Sequence, residues 1–113
     1  MSAIDKMDGS MWVSMWYTST TDVSVLMSEL EVVLKNSTFS ILGEEEYHFD
    51  PQGFTKLFLL AESHLAIHTW PEKDVAWIEL ASCIEDKYHI FVETIKKAKL
   101  ENLREVTQVV SKP

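Results

Sequence analysis

Glu62, Ser63, His64, His68 and Cys83 are the residues whose types and spacing invite a chemical reading. Two histidines four apart on a helix would lie roughly 5–6 Å from each other and could share a metal ion. Ile67, Thr69 and Trp70 favour a strand instead, and Pro71 closes the segment. In a strand, four rises of ~3.3 Å put His64 and His68 roughly 13 Å apart. They then share a face but cannot chelate one zinc, so no metal is expected. A hydrolytic serine would call for a Gly-x-Ser-x-Gly elbow, and none surrounds Ser63. A serine beside a histidine in sequence says little, because triads are assembled in space. Taken singly, each residue has a bland reading. Ser63 caps a turn, His64 and His68 are satisfied polar groups, and Cys83 is a small buried hydrophobe.

Several elements must position these residues. Met11–Thr18 is aromatic and alternating and reads as a strand. Thr20 or Thr21 is placed to cap a helix starting near Asp22, with Val23, Leu26, Leu30 and Val33 at helical spacing and Asn36 and Ser37 at its end. Thr38–Leu42 is a short strand. Glu44, Glu45 and Glu46 read as a solvated edge or turn, and Tyr47–Phe49 extends the strand to the turn Asp50-Pro51-Gln52-Gly53. Phe54–Ala61, His64–Trp70 and Val75–Ser82 are strands, Tyr88–Leu100 is a helix, and Val106–Val110 is a last strand. The order β-α-β-β-β-β-α-β predicts an α+β fold, a two-layer sandwich with a largely antiparallel sheet and both helices on one face. Even positions of His64–Trp70 share one side, so His68 points with His64 and Trp70. Trp12, Trp16, Trp70 and Trp77 point to burial of the other face against a second subunit.

The composition bounds the function. At 113 residues the chain makes one domain, 1–113. Its formal charge of −8 argues against nucleic acid as a partner, since a polyanion neutralises no phosphates. No apolar run is long enough to span a membrane, so no membrane partner is expected. The single cysteine forms no intrachain disulfide, which fits a reducing cytosol and a cytoplasmic protein. The polar start MSAIDKMDGS lacks the features of a signal peptide and reads as a mobile tail.

The run Ala61-Glu62-Ser63-His64-Leu65, continuing Ile67-His68-Thr69-Trp70-Pro71-Glu72, resembles the short, bacterial and archaeal S-adenosylmethionine decarboxylases. Their pattern is close to ESH-hydrophobic-x-IHTWPE, followed by a strand ending in a cysteine, here Cys83. The similarity reaches back through Ser37-Thr38-Phe39 and Phe49-x-Pro51-x-Gly53.

The resemblance implies that Ser63 is consumed to make a cofactor. Its Oγ attacks the carbonyl carbon of Glu62, an ester replaces the peptide bond, and β-elimination cuts the chain into 1–62 and 63–113. The new chain then starts with a pyruvoyl group derived from Ser63. His68 matches the processing base, and Thr55 stands where the family usually has a serine that stabilises the oxyanion. The pyruvoyl ketone would form a Schiff base with a substrate amine, and Cys83 matches the catalytic acid. Phe49, Trp70 and Glu72 match the adenosine pocket, Glu72 as the carboxylate that holds the ribose. The implied function is decarboxylation of S-adenosylmethionine for spermidine biosynthesis by a homodimer of processed chain pairs.

The chain departs from the family pattern at Lys73, Asp74 and Val75, at Ile84 after the cysteine, and at Gly9-Ser10-Met11-Trp12. These positions border the substrate pocket. L-Ornithine or L-arginine, decarboxylated by some relatives, are therefore alternative substrates, with Asp74 or one of Glu44, Glu45 and Glu46 as partner for the distal cation. A more remote alternative is an unprocessed, non-catalytic binding or regulatory homologue.

Overall fold

The computed structural model describes residues Asp8 to Pro113. The expected mobile tail therefore lies, for residues 1–7, outside the described residues. The elements are β1 (Met11–Thr18), α1 (Val23–Asn36), β2 (Ile41–His48), β3 (Phe54–Leu60), β4 (Ser63–Trp70), a 3-10 turn (Pro71–Lys73), β5 (Val75–Ser82), α2 (Glu85–Ile95) and β6 (Arg104–Ser111). Every strand pairing is antiparallel, in the order β2-β3-β4-β5-β1-β6. The α+β class and the element order agree with the sequence-based expectation.

Period-two burial divides the sheet into two faces. In β4 the odd positions Ser63, Leu65, Ile67 and Thr69 are buried. Leu65 and Ile67 pack in the core with Leu26 and Leu30 of α1 and Phe91 of α2. Each such side chain contributes about 1.5–3 kcal/mol on burial, so this layer dominates the stability of the fold. The even positions His64, Ala66, His68 and Trp70 look out from the face that no helix covers. Leu57 and Leu59 of β3 stand on the same face, 43% and 55% exposed.

Asp22 is itself the cap of α1, where the sequence pointed to Thr20 or Thr21, and its carboxylate accepts the N–H of Val25 at 3.2 Å. Helix α2 covers Glu85–Ile95, whereas apolar spacing alone predicts Tyr88–Leu100. Glu85 and Asp86 fill its first turn, where their charge meets the positive end of the helix dipole. At the other end, Lys97 and Ala98 donate to Thr94 and Ile95 three residues back, which tightens the last turn and ends the helix early.

Strand β2 is continuous through the three glutamates. Glu44 and Glu46 point one way, each 2.9 Å from the ammonium of Lys56. Lys56 occupies an inward position of β3 at 7% exposure. Burial pulls its pKa down, but the two carboxylates outweigh that and raise it, so the charge stays. The tryptophans also divide. Trp16 is 2% exposed and packs on Phe91 inside this chain's own core, and Trp12 leans on the same cluster. Trp70 and Trp77 stand on the open face.

Candidate functional site

The junction between Glu62 and Ser63 lies at the β3–β4 hairpin, where Leu60 pairs with Ser63 and only Ala61 and Glu62 form the loop. Glu62 has φ 62°, a left-handed conformation that usually falls to Gly or Asn. Holding it there costs about 1–2 kcal/mol. The strain thus sits one residue before Ser63, which is the first residue of β4.

The Glu62 carbonyl oxygen has two donors, both from Cys83. The backbone N–H of Cys83 donates at 3.3 Å and its thiol at 3.0 Å. Two donors on one carbonyl polarise the carbon and suit an oxygen that becomes negative on attack. Burial pushes the Cys83 thiol above its ordinary pKa, and the charge of Glu62 adds to the rise, so at neutral pH the sulfur keeps its proton. Ser63 is buried at 8% exposure, and its Oγ donates to Ser82 Oγ at 2.7 Å.

A second group of expected residues gathers at the far end of β4. Thr55 Oγ1 and His68 Nδ1 share a hydrogen bond of 3.0 Å across the β3–β4 ladder. The His68 ring stacks on Trp70, centroids 6.1 Å apart. A cleft of ≈ 250 Å³ is lined there by Thr55, His68, Phe49, Trp70 and Glu72, with Gln52 and Gly53 at its border. The turn after β2 shapes it. The N–H of Phe49 donates to the Gly53 carbonyl, and Gly53 takes φ 109°, which a side chain rarely tolerates. Phe49 and Trp70 remain 51% and 42% exposed, large aromatic faces open to a ligand.

Within one chain the two groups do not meet. Ser63 and His68 are five residues apart in one strand, roughly 16 Å at ~3.3 Å per residue. Their side chains also leave opposite faces of the sheet. Cys83 joins Glu62 and Ser63; Thr55, Phe49, Trp70 and Glu72 join His68. Lys73 and Asp74 are exposed and outside the lining of the cleft. Glu44 and Glu46 are taken by Lys56. Sequence reasoning missed Ser82, whose proximity to Ser63 depends on the β4–β5 register, and Gln52, hidden inside a turn signal.

The chain matches the family model of S-adenosylmethionine decarboxylase over residues 15–111. It is 40% identical over 62 residues to an S-adenosylmethionine decarboxylase proenzyme of Prochlorococcus marinus (strain MIT 9313), covering 55% of this chain and 50% of that protein. The chain thus spans about half the length of several curated relatives that it matches. With a proenzyme of the same name from Prochlorococcus marinus (strain MIT 9211) it shares 34% identity over 96 residues, 79% of each chain. The crystal structure of the adenosylmethionine decarboxylase from Aquifex aeolicus superimposes with a TM-score of 0.68 at 22% identity, covering 91% of this chain and 88% of that one, so the two share a fold.

Proposed function

The chain belongs to the S-adenosylmethionine decarboxylase family, and from that premise we propose that it cleaves itself between Glu62 and Ser63 and decarboxylates S-adenosylmethionine. The observation that carries this reading is the Glu62 carbonyl, gripped by both donors of Cys83 next to the Ser63 hydroxyl, in a loop strained at Glu62.

In the first step Ser63 Oγ bonds to the Glu62 carbonyl carbon and the carbon–nitrogen bond to Ser63 breaks. The hydroxyl proton ends on the freed nitrogen, leaving an ester. A base then removes the Ser63 α-proton and the Cβ–Oγ bond breaks. Glu62 departs as a carboxylate and residue 63 becomes dehydroalanine. Water replaces the nitrogen, ammonia leaves, and a pyruvoyl group remains. Residues 62, 63 and 83 suit the formation of that group, which supplies an electron sink for decarboxylation.

The base is His68 of a second copy. In its own chain His68 is roughly 16 Å along the strand from Ser63 and on the other face. A second copy laid on the open face brings its Thr55–His68 end against the Glu62–Ser63 end of the first, and the reverse. The exposed Leu57, Leu59 and Trp70 supply apolar area for that packing. Two sites then form per homodimer, each with its cleft from one copy and its Glu62, Ser63 and Cys83 from the other. Thr55 orients the imidazole through Nδ1. Cys83, kept protonated, donates the proton that replaces the departing carboxylate.

Phe49 and Trp70 flank the nucleobase, and Glu72 accepts from the ribose hydroxyls. This favours a nucleoside over L-ornithine or L-arginine, because Asp74 and Glu45 lie outside the lining of the cleft and Glu44 and Glu46 pair with Lys56. Lys73, outside the lining, does not oppose a sulfonium. The product serves spermidine synthesis, and a single cysteine with no intrachain disulfide partner suits the reducing cytoplasm.

Intact-mass measurement tests the reading. The purified chain should appear as two shorter chains and the Ser63→Ala variant as one of 13.0 kDa. Two fragments from Ser63→Ala with the same junction would refute it.

A further inference from the structure

We propose that Ser82 is a positioning residue for self-cleavage, holding the hydroxyl proton of Ser63 so that the attacking oxygen is fixed against the Glu62 carbonyl. The inference rests on the reading above that Ser63 attacks its own chain.

Ser82 is fully buried, at 0% exposure, and lies directly across from Ser63 in the β4–β5 ladder. Its Oγ accepts the Ser63 hydroxyl at 2.7 Å. The Ser82 hydroxyl is itself anchored. It accepts the N–H of Ile84 at 3.0 Å and donates to the Ile84 carbonyl at 3.3 Å. With its own proton directed to Ile84, Ser82 meets Ser63 as an acceptor. That polarity matters, because a hydroxyl that gives away its proton in a hydrogen bond keeps its lone pairs free, and a lone pair makes the bond to carbon.

The neighbouring residue completes the arrangement. Ser82 holds the nucleophile, while Cys83 holds the electrophile through its N–H and thiol on the Glu62 oxygen. Consecutive residues at the end of β5 thus set both partners of one bond-forming step. In that step Oγ bonds to the Glu62 carbon, the bond from that carbon to the Ser63 nitrogen breaks, and the Oγ proton ends on that nitrogen. Ser82 is unchanged overall. Its contribution is geometric, and small misplacements of a nucleophile are costly.

A purely structural Ser82 would only cap the turn into α2 through Ile84. Cleavage kinetics in cell-free translation, followed by intact mass, separate the two roles. Ser82→Ala should slow the appearance of the two chains by roughly a hundredfold. The accumulating precursor should resist neutral hydroxylamine, because no ester has formed. Ser82→Thr keeps the hydroxyl and should restore most of the rate. If Ser82→Ala does not fold, Ser82→Cys, of similar size but a weak acceptor, carries the same expectations. Wild-type speed in Ser82→Ala or its Cys replacement overturns the proposal, as does a precursor that hydroxylamine opens, or a Thr variant as slow as Ala. A wild-type chain that never splits would instead defeat the self-cleavage reading itself.

Discussion

Thr55 and His68 share a hydrogen bond, Oγ1 to Nδ1 at 3.0 Å, at the opposite end of β4 from Ser63. That end lies roughly 16 Å from Ser63 and on the other face of the sheet, so under the proposed self-cleavage His68 would act on a neighbouring copy.

Complementation tests this directly. His68→Ala alone should stall at the ester, so neutral hydroxylamine should open its precursor at residue 62. Co-expressed with Ser63→Ala, which keeps His68, the His68→Ala chain should recover cleavage in mixed dimers. A mixture as inert as either variant alone would mean that His68 works within its own chain.

Assembly has its own readout. Leu59, 55% exposed on the open face, should be buried between copies. Leu59→Asp should convert a dimer to a monomer in sedimentation velocity and slow cleavage with it, since an unpaired buried charge costs several kcal/mol. A wild-type chain that sediments as a monomer at micromolar concentration contradicts the paired site.

The pKa of Cys83 sets a pH limit. Burial and then Glu62 raise it, so the acid form persists across neutral pH and is lost only above the ordinary thiol range. Decarboxylation should accordingly hold level through neutral pH and fall on the alkaline side, with a midpoint above that of an exposed thiol. Cys83→Ala should cleave more slowly, because only the backbone N–H then holds the Glu62 carbonyl, and should lose turnover. Unchanged kinetics in that variant would remove the thiol from the proton transfer.

Glu72 separates substrate binding from processing. Loss of a charged hydrogen bond to ribose is worth about 1.5–3 kcal/mol, so Glu72→Ala should raise KM for S-adenosylmethionine roughly tenfold to a hundredfold. Self-cleavage should continue at the normal rate. Carbon dioxide release from labelled L-ornithine or L-arginine, and none from S-adenosylmethionine, would transfer the function to a basic amino acid.

Much of this was legible in the residues alone. Alternation in Met11–Thr18 predicted a strand because a half-buried strand repeats every two residues, and a nearly continuous apolar run, broken by Lys56, predicted Phe54–Ala61. The same period put His64, His68 and Trp70 on one side of β4, as observed. Local order therefore needed no more than neighbouring side chains. Other features were decided by contacts distant in sequence. Lys56 reads as an interruption of an apolar run, and its place in the sheet depends on Glu44 and Glu46 across the ladder. Trp16 reads like Trp70, yet one packs on Phe91 and the other borders a cleft. The grip of Cys83 on the Glu62 carbonyl, and of Ser82 on Ser63, follows from β4–β5 register, which pairs residues about twenty apart. A linear pattern records which face a side chain takes. Which partner it meets there is set only when the strands are laid side by side.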